Sequence, residues 1–273
     1  ADGMAGLERR PVAARGAPGE LAAKLSPLVA ETGASPEQLL AEFERDILPH
    51  TVGWRHPGFM AYFAAGGSPE GVLAEALIAA LNNVGLLWKA SPALVELEQV
   101  SLRLLGDWLG LPAAWFGMIH TTASEASLHA VIAARQAARE RAEAEGRPFS
   151  LDRLTIYASE HAHSSIEKTM MALGPGREAC RKIAADAEYR MRPDALDEAI
   201  RRDLDAGVTP IAVCATIGTT SSSSVDPVAA IADIAARYGL WLHVDAAYAG
   251  PCAMLPECAE HFRGVESADS FLV

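Results

Sequence analysis

From residue 151 onward, strand-like apolar runs alternate with helix-patterned segments, and few folds accommodate that rhythm. Leu154-Thr155-Ile156-Tyr157 reads as a strand, and Ser164 to Leu173 as a helix stopped by Gly174-Pro175-Gly176. A short strand near Lys182 and Ile183 follows, then a helix from Pro193 to Leu204 and a buried strand over Pro210 to Ala215. Asp226-Pro227 is placed to cap a helix that reaches Tyr238 and leads into Trp241-Leu242-His243-Val244, a mostly apolar run that reads as another buried strand. Strands joined by helices of this length predict an α/β fold with a mostly parallel central sheet, flanking helices and right-handed crossovers.

The front of the chain is helical instead. Residues 1–19 hold Gly, Pro, Ala and Arg without periodicity and are expected to form a loose arm. Two short helices follow. The second has Ser35 as N-cap and Pro36 at its first position, with Leu39, Leu40, Phe43 and Ile47 on one side. Between residues 53 and 71, Gly, Pro and aromatic residues crowd together (Trp54, His56, Pro57, Phe59, Tyr62, Phe63), which suits either a pocket wall or a packed surface loop. Further helices are expected from Val72 to about Asn83, from Ser91-Pro92 to Gly110, and from Thr122 to about Glu143. The stripe Leu94, Leu97, Val100, Ser101, Leu104, Leu105 and Trp108 is expected to be core. These patterns divide the chain into an N-terminal helical segment with a pocket loop, residues 1–110, and a large domain, residues 111–273.

Composition narrows the function classes. The 273 residues are 50% hydrophobic, enough for a sizeable core. A formal net charge of -12 argues against nucleic acid and against anionic membrane surfaces as partners. No stretch approaches the ~20 apolar residues needed to span a bilayer, and the N-terminus shows no apolar signal core. Cys180, Cys214, Cys252 and Cys258 have no CxxC spacing, which points to a reducing, cytoplasmic setting.

The candidate site follows from the topology. In open α/β sheets, ligands bind outside the carboxyl ends of the strands. Asp245 stands where the last predicted strand should end, followed by the small residues Ala246, Ala247, Ala249 and Gly250. It either closes a turn or offers a fixed negative charge beside a flat ligand. The other strand ends and a helix start bring Thr122, Ser124, His161, His163, Thr216, Thr219, Thr220 and His243 toward one edge. Two chemistries compete there. His161, His163, His243 and Asp245 are legitimate metal ligands for a hydrolase, but no second carboxylate joins them, and no metal is assigned. Pyridoxal phosphate instead needs an anion site, an acid at its pyridine nitrogen, packing on both ring faces and a lysine. Thr122, Ala123 and Ser124 at a helix start serve either as a plain cap or as that anion site. Asp245 fits the acid, His163 one ring face and the methyl of Ala247 the other.

Six segments then occur in a telling order. They are His56-Pro57-Gly58-Phe59-Met60-Ala61-Tyr62-Phe63; Trp88-Lys89-Ala90-Ser91-Pro92-Ala93 with Glu96-Leu97-Glu98; Thr122-Ala123-Ser124-Glu125-Ala126; His161-Ala162-His163-Ser164-Ser165; Ala215-Thr216-Ile217-Gly218-Thr219-Thr220; and His243-Val244-Asp245-Ala246-Ala247-Tyr248-Ala249-Gly250. With them the chain resembles the aromatic-L-amino-acid decarboxylase family of pyridoxal-phosphate-dependent group II decarboxylases, which also includes glutamate and histidine decarboxylases. The resemblance implies a fold-type I α/β architecture, pyridoxal 5'-phosphate as cofactor and a homodimer. It implies decarboxylation of an L-amino acid to an amine and CO2, with an aromatic substrate preferred (Trp, Phe, Tyr or DOPA) and glutamate as the alternative. It implies phosphate contacts at Ala123 and Ser124, ring stacking at His163, and Thr220 close to the cofactor. Asp245 matches the acid at the pyridine nitrogen and Ala247 the small residue under the ring. Trp54, Tyr62, Phe63, Val84 and Leu86 match positions around the substrate pocket. His163 favours decarboxylation, since related aldehyde-forming enzymes of insects carry Asn there.

The chain also departs from the family pattern. Ala64 follows Ala-Tyr-Phe where aromatic-specific relatives usually have Pro, and Thr121-Thr122 replaces a Gly-Ser pair. The family's Schiff-base lysine lies in an Asn-Pro-His-Lys motif just after a segment resembling Ala268-Asp269-Ser270-Phe271-Leu272-Val273. Lys24, Lys89, Lys168 and Lys182 occupy none of the motif's places. The resemblance therefore implies a C-terminal remainder of the same enzyme as a partner, with an inactive fragment as the alternative.

Overall fold

The computed structural model describes residues 11–14, 16–25, 33–63 and 66–273. Most of the expected N-terminal arm, part of the segment after the first short helix, and Ala64 lie outside them. The chain forms two compact units, residues 1–83 and residues 84–273.

The first unit contains α1 (Glu20–Leu25), α2 (Pro36–Glu42) and α3 (Pro69–Leu81). Ser35 caps α2 through a reciprocal pair: its hydroxyl accepts from the Gln38 N–H at 3.3 Å, and the Gln38 amide oxygen accepts from the Ser35 N–H at 2.8 Å. The helix then widens into a π turn, Phe43–Ile47, and a 3-10 turn, Leu48–His50. Asp46 is buried there between Lys24 and Arg45, each 2.5 Å from its carboxylate, and those cations hold its pKa down to about 2. Ser68 caps α3, and Asn82 ends it in the left-handed conformation at φ 46°. None of the 13 residues of α3 is buried, although Val72, Leu73, Leu77, Ile78 and Leu81 are apolar.

The second unit runs α4 (Pro92–Trp108), α5 (Ala123–Ala144), β1 (Leu154–Ser159), α6 (Ser165–Leu173), β2 (Cys180–Ile183), α7 (Pro193–Asp205), β3 (Thr209–Thr216), α8 (Val228–Tyr238), β4 (Trp241–Asp245) and β5 (Ser270–Leu272). The five strands are all parallel, in the order β2-β1-β3-β4-β5. Parallel sheets need both faces covered, and β1 is accordingly buried along its whole length. On one face Tyr157, Val213, Ala215, Leu242 and Val244 pack against α7 and α8. On the other, Ile156, Ala158, Ala212 and Cys214 pack against Val131 and Ala134 of α5 and Ile166 and Met170 of α6.

Most expected elements occur within two residues of their predicted ends. Two expectations need correction, and one strand carries no signal in the sequence. The stripe on α4 is not core: Leu97, Val100, Leu104 and Trp108 are exposed, because helical periodicity reports a face to be covered without saying what covers it. Asp226 does not cap α8, whose N-cap is Pro227 without a side-chain bond. Its carboxylate instead accepts the N–H of Met191 at 2.7 Å and of Thr216 at 2.8 Å. Finally, β5 was not expected as a strand, being only three residues long.

Candidate active site

The sheet order turns back between β1 and β3, since β2 lies on one side of β1 while β3 to β5 lie on the other. Such a reversal opens a crevice at the carboxyl ends of the strands. The chain brings its polar residues to that edge. The loop after β1 carries His161 and His163; the loop after β3 carries Thr219 and Thr220; β4 ends at Asp245, paired in register with Thr216. The start of α5 joins them. Its far end lies at the opposite edge, where Arg141 donates to the carbonyl of Gly239 just before β4. A 22-residue helix extends about 33 Å, so its first turn reaches the carboxyl edge.

Asp245 is buried at 6% exposure. Leu242 and Val244 point into the α7–α8 face, so strand alternation sends His243 and Asp245 to the α5 face. One carboxylate oxygen accepts the Ala247 N–H at 3.1 Å. That bond makes a local turn and sets the carboxylate's direction, while the second oxygen accepts no hydrogen bond from the described residues. Behind it, the Trp241 indole N–H donates to the Ser270 hydroxyl at 2.8 Å, and that hydroxyl lies 2.9 Å from His243 Nδ1. Burial lowers the His243 pKa to about 4, with Asp245 acting in the opposite direction. Three buried polar atoms have no hydrogen-bond partner among the described residues: Ser127 Oγ on α5, Thr216 Oγ1 on β3 and His243 Nε2 on β4. An unsatisfied buried polar atom is costly, and three in this one region are what a polar guest or water would satisfy.

His163 is exposed, and its ring is tethered: Nδ1 accepts the Ser165 N–H at 3.2 Å and lies 2.9 Å from the Ser165 hydroxyl. With Nδ1 accepting, a neutral ring carries its proton on Nε2. Thr220 stands exposed in the turn after β3, which is closed by Thr219 and Ser224. Gly218 holds that turn against the segment after β4 at φ +87°; a Cβ there would meet Ala249 Cβ at 2.7 Å. At the start of α5 the Thr122 hydroxyl accepts the Glu125 N–H at 3.2 Å. That leaves the N–H groups of Ala123 and Ser124 without intrahelical acceptors at the positive end of the helix dipole.

The aromatic residues of the first unit form their own cluster. Trp54 stacks on Tyr62 with centroids 5.4 Å apart and lies 4.9 Å from Phe59. Trp54 and His56 also help line a cavity of about 420 Å³, whose walls do not include Tyr62 or Phe63. Val84 and Leu86 are exposed at the start of the second unit.

Among the described residues, His161, His163, His243 and Asp245 do not form a metal-competent group, so the hydrolase alternative loses its ligand set. His243 Nδ1 and His163 Nδ1 are engaged by Ser270 and Ser165, and the ring of His161 packs edge-on against Tyr189. Sequence reasoning missed Ser127, Asp226 and Ser270. A helix-facing serine and a short strand carry no local pattern; the acid before Pro227 mimics a cap.

The pyridoxal-dependent decarboxylase conserved domain matches residues 18–273. The chain is 39% identical over 273 residues to phenylacetaldehyde synthase of Arabidopsis thaliana, covering 97% of this chain and 55% of that protein. It is 38% identical to tryptophan decarboxylase 2 of Oryza sativa subsp. japonica, covering 99% of this chain and 55% of that protein. Among solved structures, the Oryza sativa TDC with PLP and tryptamine superposes with a TM-score of 0.92 at 37% identity, over 97% of this chain and 56% of that one. The chain thus spans about half the length of the curated relatives it matches. With a parallel α/β sheet, an acid at its carboxyl edge and this domain match over nearly its whole length, the chain belongs to the pyridoxal-dependent decarboxylase family.

Proposed function

We propose that this chain supplies much of the cofactor site of a pyridoxal-phosphate-dependent lyase that decarboxylates an aromatic L-amino acid to its amine. One observation carries the reading: the buried Asp245 carboxylate at the carboxyl end of β4, aimed by Ala247 and with one oxygen unclaimed. Bound pyridoxal phosphate supplies an electron sink for the pair left behind by the departing carboxylate. Asp245 would hold a proton on the ring nitrogen, which makes that sink effective. Ala123 and Ser124 would bind the phosphate through free N–H groups at the start of α5. His163, its ring fixed by Ser165, would stack on one face of the cofactor, and the Ala247 methyl would close the other. Thr220 would border the cofactor from the turn after β3. Trp54, Tyr62, Phe63, Val84 and Leu86 are proposed for the substrate pocket.

An aromatic substrate is supported by relatives named as tryptophan and tyrosine decarboxylases. Free thiols at all four cysteines support a cytoplasmic setting. No helix among the described residues is long and apolar enough to cross a membrane. A homodimer, completed by the remainder of the same enzyme, is proposed from the uncovered apolar faces of α3 and α4. The N-terminal residues 1–110 are proposed as its dimerisation segment and 111–273 as the cofactor domain.

The test offers the intact enzyme tryptophan, phenylalanine, tyrosine, DOPA and glutamate, with amines quantified by mass spectrometry. Amines from aromatic substrates support the reading; turnover confined to glutamate overturns the substrate class. The second reading is aldehyde formation, favoured by the similarity to phenylacetaldehyde synthase. The same assay separates it, since an aldehyde would replace the amine.

A further inference from the structure

We infer that His120, Glu125 and His129 form a binding site for a divalent transition-metal ion, zinc by preference, at the start of α5. Glu125 and His129 are four residues apart on the helix and so share a face. His120 folds back from the preceding loop onto that face. Its ring lies 4.7 Å from the His129 ring at an interplanar angle of 32°, with the two Nδ1 atoms 3.2 Å apart.

That separation carries the argument. With zinc–imidazole bonds of about 2.0–2.1 Å, two nitrogens on a tetrahedral ion lie about 3.3–3.4 Å apart. The two histidines already stand at nearly the edge length of the coordination shell. Each of the three residues offers a donor atom within 4.8 Å of the others, so a small side-chain adjustment brings the carboxylate in. Glu125 is already oriented, because its Oε2 accepts the Thr121 N–H at 3.1 Å.

Two imidazoles and one carboxylate, half-buried to exposed, leave a fourth position for water. Nitrogen and oxygen donors of this kind select zinc, copper or nickel over magnesium or calcium. The pattern was invisible in sequence because His120 precedes the helix and joins the other two only through the fold. None of its three ligands is assigned a role in the cofactor reading, although Glu125 directly follows Ser124, one of the proposed phosphate contacts.

The test uses the full chain, stripped with chelator and titrated with Co2+ and then Zn2+. Expected are the visible bands of four-coordinate cobalt, saturating at a single ion per chain and displaced by zinc. His129 is exposed, so His129→Ala should keep the far-UV circular dichroism of the native chain while weakening binding by at least about tenfold. His120→Ala should do the same, and His161→Ala should bind as the parent does. Absence of saturable binding overturns the inference. So does binding of equal strength in His129→Ala and His120→Ala, or binding lost only in His161→Ala.

Discussion

His243 is carried into the sheet as a neutral ring. Unfolded, it takes up a proton near pH 6.5; folded, only near 4, because burial disfavours the cation. Between these values the unfolded chain holds more protons, so this group makes stability rise with pH. Asp226 acts oppositely. Burial raises its pKa to about 6, so its contribution falls as pH climbs from about 3.8 toward that value. Comparing variants separates the two. In urea titrations, the stability difference between the parent and His243→Gln should widen from about pH 4 to about 6.5; a constant difference would mean the ring titrates normally. Asp226→Asn keeps one acceptor and turns the other toward an N–H, so a cost of about 1–3 kcal/mol is expected from the same measurement. Asp245 was legible because its strand and the small residues after it both carry local signals. Asp226 was not, since its partners Met191 and Thr216 are 35 and 10 residues away.

The start of α5 concentrates capping, dipole and candidate ligands within one turn. Thr122→Ala should cost about 1 kcal/mol in thermal or urea unfolding, while Thr122→Ser should be nearly neutral, because serine keeps the hydroxyl that shares the Glu125 N–H with the Thr122 carbonyl. Gly218 sets the turn carrying Thr219 and Thr220. Gly218→Ala adds a methyl that would stand 2.7 Å from Ala249 Cβ at a positive φ, so we expect a loss of about 1–3 kcal/mol and weaker cofactor binding; parent-like unfolding would show that the turn shifts freely. Long periodic elements were legible: α5, α7 and α8 carry their apolar spacing and their stops in sequence, although the cap of α8 was misassigned. What failed was short or depended on partners. The three residues of β5 hold no period, and only strand pairing with β4 makes them a strand. The α4 stripe was expected as core and is exposed; its periodicity marks a face, yet the surface that would cover it is not among the described residues of this chain.

At the scale of the molecule, α3 and α4 have no buried residue between them, and their exposed Leu77, Ile78, Val100 and Trp108 are a poor match for water. We expect light scattering of the intact enzyme to report self-association, reduced by Leu77→Asp or Val100→Asp; a monomeric intact enzyme would contradict the proposed dimer. The parallel architecture was legible because alternation of strands and helices admits few topologies. The gathering of polar residues at the carboxyl edge was legible because that topology fixes where the strand ends lie. The meeting of His120 with His129 was not, since it depends on how one loop folds back. The proposed chemistry depends most on Asp245 and a protonated ring nitrogen. The direct measurement is the ring-nitrogen NMR signal of 15N-labelled pyridoxal phosphate bound to the chain, taken in alkaline buffer where the free cofactor has lost that proton. The signal should sit at the protonated position in the parent and at the unprotonated position in Asp245→Asn; the same signal in both would contradict the role given to this carboxylate.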